Sequence, residues 1–259
     1  MTAFLEVKNL AKRFGGVQAV SDVSFTVERG SICSVIGPNG AGKTTVFNMI
    51  SGIVKPSSGA VLLDGRELTR KQVYEMSRLG VGRTFQNLAV FKHATVVDNI
   101  LVGMHTQLKS GPVAAALFWG KTRSEEIAAR KRVEDIIDFL GLQQVRDTPV
   151  GILSYGVQKR VELGRALATN PRLLLLDEMV SGMNQEETED VARFILDIRD
   201  ELGTTVVMVE HDLGIVTDIS DKLVVLDFGR KIAEGPPGEV FQNPAVIAAY
   251  MGGSREDAA

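Results

Sequence analysis

One stretch of nine residues constrains this chain more than any other. Gly37-Pro38-Asn39-Gly40-Ala41-Gly42-Lys43-Thr44-Thr45 fits the pattern G-x-x-x-x-G-K-[ST]. The apolar run Ile32 to Ile36 before it reads as a buried strand, and a helix is predicted from about Lys43 to Ser51. Strand, glycine-rich loop and helix in that order make a phosphate cradle. Glycines let the loop wrap until its backbone N–H groups point inward at phosphate oxygens, and the positive end of the helix adds to them. Lys43 can reach the β and γ phosphates, and the Thr44 hydroxyl can ligate Mg2+.

A second stretch complements the first. Leu173-Leu174-Leu175-Leu176 reads as a buried strand that ends in Asp177-Glu178. Two acids there stand at the carboxyl edge of a sheet, where α/β folds bind ligands. Asp177 suits the Mg2+ shell, directly or through water. Glu178 suits orienting or deprotonating an attacking water. Two more apolar runs, Thr205 to Val209 and Leu223 to Leu226, alternate with helical patterns at Glu186 to Glu201 and Leu213 to Ser220. That rhythm predicts a mostly parallel sheet with helices on both faces.

The first third differs. Phe4 to Lys8, Ser24 to Glu28 and Val61 to Leu63 read as short strands punctuated by glycine turns, so an antiparallel layer is expected beside the first strand–loop–helix unit. From about Leu88 to Val150 the pattern is helical. Thr122 and Glu125 form a capping-box pattern, Ile127, Val133, Ile136, Ile137 and Leu140 mark one apolar face, and Gly141 can stop that helix. A helical subdomain inserted into an α/β core is the expected arrangement.

Composition narrows the function. The 259 residues suggest one large domain or two small ones. Lys plus Arg number 29 and Asp plus Glu 32, so the chain lacks the positive field of a nucleic-acid binder. Cys33 is the only cysteine, which excludes an internal disulfide and a cysteine-based zinc site. No apolar run approaches the ~20 residues of a membrane span. The first residues lack the apolar core of a secretory signal, so a soluble cytosolic chain is expected.

Further motifs carry a resemblance. Leu153-Ser154-Tyr155-Gly156-Val157-Gln158 resembles the signature of ABC-transporter ATPases. A helix is expected after it, from about Val157 to Ala168. Gln86 looks like that family's Q-loop glutamine, Ser181-Gly182-Met183-Asn184 like its D-loop and His211 like its switch histidine. Phe14, 23 residues before Gly37, looks like its adenine-stacking aromatic. The resemblance extends over nearly the whole chain, from about Leu5 to Gly252. It implies one ABC ATPase domain over residues 1–259, with 1–87 and 160–259 as the nucleotide-binding core and 88–159 as a helical signature subdomain. ATP and Mg2+ are the implied cofactors. The implied site comprises Phe14, Gly37 to Thr45, Ser154 and Gly156 for nucleotide, Thr44, Gln86 and Asp177 for the metal, and Glu178, His211 and Gln86 for catalysis. Ser154 and Gly156 are implied to act on the nucleotide of a second ATPase subunit. Three positions depart from the family pattern: Val157 replaces Gln, Met179 replaces Pro and Asn184 replaces Asp. Neither Val157 nor Met179 removes a phosphate ligand, a metal ligand or the base, so hydrolysis is still expected. Val157 removes a polar side chain at the expected dimer interface.

Several stretches look more like the longer ATPase of branched-chain amino-acid importers. They include Arg13 to Val20, Val46-Phe47-Asn48, Gly82-Arg83-Thr84-Phe85-Gln86 and Ala248 to Gly252, together with the extra segment His105 to Arg123. Within that segment the apolar Val113 to Trp119 is expected to pack on the helical subdomain or to touch a membrane partner. The resemblance implies a sister ATPase or homodimer, two membrane permease subunits and, indirectly, an extracytoplasmic solute-binding protein. It places the chain peripherally at the cytoplasmic face of the inner membrane. Relatives of this pattern also serve urea, aromatic-acid and lipopolysaccharide transport. A soluble ABC ATPase acting on DNA or ribosomes is disfavoured, because there is no coiled coil, second ATPase unit or basic stripe.

Overall fold

The computed structural model describes residues 3–85, 88–106 and 121–252, without the side chains of 121–125 and 252. In chain order the strands are β1 (Ala3–Phe14), β2 (Val17–Glu28), β3 (Ile32–Ile36), β4 (Ser58–Leu63), β5 (Arg66–Glu67), β6 (Val81–Arg83), β7 (Leu173–Asp177), β8 (Thr205–Val209), β9 (Lys222–Asp227) and β10 (Arg230–Gly235). The helices are α1 (Lys43–Ile50), α2 (Val73–Met76), α3 (Val96–Gly103), α4 (Lys121–Phe139), α5 (Tyr155–Ala168), α6 (Gln185–Asp200), α7 (Leu213–Ile219), α8 (Pro237–Val240) and α9 (Pro244–Gly252).

Two sheets form. One is antiparallel, in the order β2-β1-β4-β5. The other runs β10-β9-β3-β8-β7-β6. Its strands pair in parallel except β10, which closes one edge antiparallel to β9. The apolar runs become its centre, and strand alternation divides them between two cores. Ile32, Leu174, Leu176, Val206, Met208 and Val225 face a core made with α3 to α7. Cys33, Val35, Leu173, Leu175, Val207 and Val224 face a second core, made with α1 and the antiparallel sheet. A strand buried on both faces shows no alternation in sequence, which is why these runs read as continuous. Burial pushes the Cys33 thiol up to about 12, so it acts as a small hydrophobe.

Some expectations need correction. The first two strands are each 12 residues long and pair with each other, with register shifts along the ladder. Asn9 and Asp22 take positive φ (45° and 55°), and the Asn9 side chain donates to Asp22 Oδ1 at 2.8 Å. Those irregularities place buried Val7 and Leu10 three residues apart, and Val20 and Val23 likewise, so the period of two is lost from sequence. The short β6 and the half-exposed β10 lack an apolar run and were not expected as strands. On α4, Val133, Ile136 and Ile137, and Leu140 just after it, are buried as expected, but Ile127 is 60% exposed. Six residues before Val133, Ile127 lies about 120° away around a 3.6-residue helix, and Ala129 takes the inward place. Gly141 follows the end of that helix as expected. The Thr122–Glu125 pair and Val113 to Trp119 lie outside the described side chains and residues.

The middle is not helical from Leu88. Residues 88–95 precede α3 as a loop, and buried Asn99 holds it. The Asn99 amide donates to the carbonyls of Phe91, Ala94 and Thr95 at 3.0, 3.3 and 2.9 Å and accepts from Phe91 N–H at 2.8 Å. Asn99→Leu strands those backbone groups, so a loss of about 1–3 kcal/mol is expected. Urea titration checks it through a lower midpoint at an unchanged slope.

Candidate functional site

The phosphate loop leaves β3 and enters α1. Gly37 stands at φ 148°, and a Cβ there would lie 2.0 Å from the Leu226 carbonyl oxygen on the neighbouring strand. Only glycine meets both conditions. Gly37→Ala is therefore expected to destabilise the fold by about 1–3 kcal/mol or more, with nucleotide affinity falling alongside. Thermal unfolding with and without ADP checks both effects. The loop is backed by the β9–β10 turn: Gly229 N–H donates to Ala41 O at 3.0 Å, and Ser21 N–H donates to Gly229 O at 2.7 Å.

Lys43 folds over the loop, donating to Gly37 O at 2.7 Å and Pro38 O at 2.9 Å. Burial lowers its pKa, and Glu178 opposes that shift. No side chain caps the start of α1, and no acid lies in its first turn. Its first amide groups thus point into an open groove of about 570 Å3 lined by Val17 to Ala19, Asn39 to Thr45, Glu178, His211 and Phe228. A helix N-terminus of this kind attracts an anion.

Strands β7 and β8 bring the acid and the histidine to that groove. They are parallel neighbours, with Asp177 opposite Val209, so the residues after them emerge side by side. His211 Nε2 lies 3.1 Å from Glu178 Oε1. The Glu178 side chain is 14% exposed and that of His211 47%, so the pair is reachable from the groove. Glu178 has φ 48°, a left-handed conformation that costs a residue with a side chain about 1–3 kcal/mol.

Other expected residues stand elsewhere. Asp177 does not line the groove. It is buried and accepts from Arg83 Nη2 at 2.8 Å. Burial pushes its carboxyl above the usual range, and the Arg83 guanidinium works against that shift. Phe14 ends β1 beside Val17 and is half exposed under the Lys12 ammonium, outside the groove lining. Ser154 caps α5, accepting from Val157 N–H at 3.4 Å, so that helix starts two residues earlier than expected. Neither Ser154 nor Gly156 lines the groove of its own chain. A Cβ on Gly156 would lie 2.5 Å from Glu187 Oε1. Gln86 lies outside the described residues.

The three departures have local explanations. Val157 packs against the helical-side core. Met179 is fully buried there. Asn184 caps α6 in a capping box with Glu187, a role Asn fills as well as Asp.

Sequence reasoning singled out none of Arg83, Lys159, Glu162, Glu210 or Phe228 as site residues. Glu162 accepts from Phe85 N–H at 3.0 Å, and Lys159 Nζ approaches the Glu178 carbonyl at 3.5 Å. Phe228, at φ 41°, is 86% exposed at the groove. Only Glu210, adjacent to His211, had a signal that could have found it.

The family model described as ABC transporter matches residues 20–181. The chain belongs to the ABC transporter ATP-binding family. A second model, described as branched-chain amino acid ATP-binding cassette transporter, matches residues 230–256 of this ABC ATPase. The high-affinity branched-chain amino acid transport ATP-binding protein BraF of Pseudomonas aeruginosa is 41% identical over 96% of this chain and 97% of its own. The corresponding LivG of Escherichia coli is 39% identical with the same coverage. A solved ADP conformation of an ATP-binding cassette of an ABC transporter is 34% identical, spans 97% of this chain and 100% of its own, and has a TM-score of 0.85. The α/β P-loop fold, nucleotide binding and the ATPase class follow.

Proposed function

We propose that this ABC ATPase powers an importer of branched-chain amino acids. The observation that carries the chemistry is the Glu178–His211 pair, 3.1 Å apart, lining the same groove as Lys43 and Thr44. Glu178 is placed to take a proton from the attacking water, and His211 orients that carboxylate and meets the γ-phosphate. The backbone amides and Lys43 hold the phosphates. The substrate class rests on the relatives named above and on the match over residues 230–256.

Mg2+ fits the donors present. Thr44 and Glu178 line the groove, and no cluster of three His, Cys, Asp or Glu exists among the described residues. Mg2+ binds through one or two protein oxygens, several waters and substrate phosphates, so a sparse set suffices. When bound it offsets phosphate charge. Thr44 would hold it directly, and Asp177, held by Arg83, would act through water.

The site is completed by a second ATPase, sister subunit or copy, because Ser154 and Gly156 stand away from their own groove. The described residues between 88 and 159 belong to the subdomain that presents them, its boundary with the core falling inside α5. No helix among the described residues is long and apolar enough to cross a membrane. The chain works peripherally at the cytoplasmic membrane face, on two permease subunits fed by an extracytoplasmic binding protein. A groove of about 230 Å3 with half-exposed Ile53, Val73, Phe85 and Val102 on its walls supports permease docking.

The test is uptake into vesicles carrying the permease subunits, both ATPases and the binding protein. ATP-dependent accumulation of labelled leucine, isoleucine or valine is expected. Vesicles that hydrolyse ATP but accumulate urea or an aromatic acid instead would overturn the substrate class alone.

A further inference from the structure

We propose that Glu210 is a positioning residue that holds Glu178 and His211 in their reactive register. This rests on the reading of Glu178 as the base. Strands β7 and β8 deliver the two side chains from neighbouring positions, but beyond Asp177 and Val209 the ladder ends. From there each chain turns away on its own path. The Glu178 N–H still reaches Val209 O at 2.9 Å. Glu210 supplies the link after it. Its Oε1 accepts from Val180 N–H at 3.2 Å. One side chain thus ties Val180, two residues after Glu178, to the residue immediately before His211.

That location matters because Glu178 sits in a left-handed conformation that an untied loop would leave. The 3.1 Å approach of Glu178 to His211 needs both backbones held to a fraction of an ångström. Glu210 is 3% exposed and does not line the groove, so it acts through its neighbours and not on substrate. Burial pushes its carboxyl up to about 7, with backbone N–H groups pulling the other way and Glu178 adding to the rise. A buried acid is an expensive way to join two loops, and an apolar residue could fill the volume but could not accept from Val180 N–H.

The experiment compares Glu210→Ala, Glu210→Gln and Glu178→Gln in the full chain. Steady-state ATPase gives kcat and KM, a fluorescent ATP analogue gives nucleotide affinity, and thermal unfolding reports the fold. Glu210→Ala is expected to lower kcat by up to about 100-fold, the cost of misplacing a reacting group by an ångström. Nucleotide affinity is expected to stay at the wild-type value. Glu210→Gln keeps one acceptor oxygen and is expected to recover part of the rate. A folded Glu210→Ala with wild-type kcat overturns the proposal. So does a parallel fall of kcat, affinity and thermal stability with no recovery in Glu210→Gln, which marks a merely structural residue. If Glu210→Ala does not fold, Glu210→Gln decides: reduced kcat at unchanged affinity supports the role, and wild-type kcat overturns it. Glu178→Gln separates the two readings. Normal hydrolysis by that variant removes the base assignment itself, whereas blocked hydrolysis beside a normal Glu210→Ala removes only the positioning role.

Discussion

Lys43→Ala is expected to reduce ATP turnover to background and to weaken nucleotide binding by about 10- to 100-fold, the value of about 1.4 to 2.8 kcal/mol of charge-assisted hydrogen bonding to phosphate. Two losses combine. The ammonium that offsets phosphate charge is gone, and so are the bonds from Nζ to Gly37 O and Pro38 O that close the loop on itself. The fold has little reason to fail, because the Lys43 side chain borders the groove and not either apolar core. Phosphate release and ADP titration calorimetry, run beside thermal unfolding, check the result. Wild-type turnover by the folded variant would remove the phosphate-loop assignment.

Glu178→Gln separates binding from chemistry. The amide has nearly the size of the carboxylate and keeps a contact to His211, but it cannot take a proton from water. Loss of a general base costs about 10²–10⁴ in rate, so hydrolysis is expected to fall by that order. ATP binding is expected to persist, since no phosphate-cradling atom changes. With the γ-phosphate retained, the two-subunit closed state should accumulate on addition of Mg·ATP, visible by size exclusion. Val157 shapes how strong that state is. Its side chain packs against the helical-side core, so Gln at this position would have to leave the core to reach a partner. A gain in dimerisation from Val157→Gln is therefore expected to be small and accompanied by lower thermal stability. Near-normal hydrolysis by Glu178→Gln would require another base near the γ-phosphate.

Chemistry carried by contiguous residues was legible without coordinates. A phosphate loop is a local object: its glycines, lysine and threonine act from one turn of chain, so Gly37 to Thr45 reveals the loop, its strand and its helix together. The buried strands were legible for a related reason. A strand covered on both faces must be apolar at every position, and Leu173 to Leu176 and Thr205 to Val209 are covered that way. Where burial and backbone regularity part company, the pattern failed. The irregular ladder between β1 and β2 shifted the apolar spacing from two to three, and Ile127 matched an apolar face only approximately.

Family membership, the phosphate loop and the choice of Glu178 and His211 as candidates therefore follow from the order of residues along the chain, because each is encoded within a few consecutive positions. Their partnerships do not. Glu178 and His211 are 33 residues apart and meet only because β7 and β8 are parallel neighbours in one register. Arg83 and Asp177 are 94 residues apart and pair only because β6 and β7 are adjacent. The same holds for the Glu210 carboxylate, whose donor Val180 N–H comes from the other loop at the sheet edge, 30 residues away. A polar side chain carries no periodic signal for the direction in which it points. Only the packed sheet decides whether Asp177 turns to an arginine or to the groove, and only the tertiary structure shows that Ser154 stands outside its own chain's groove.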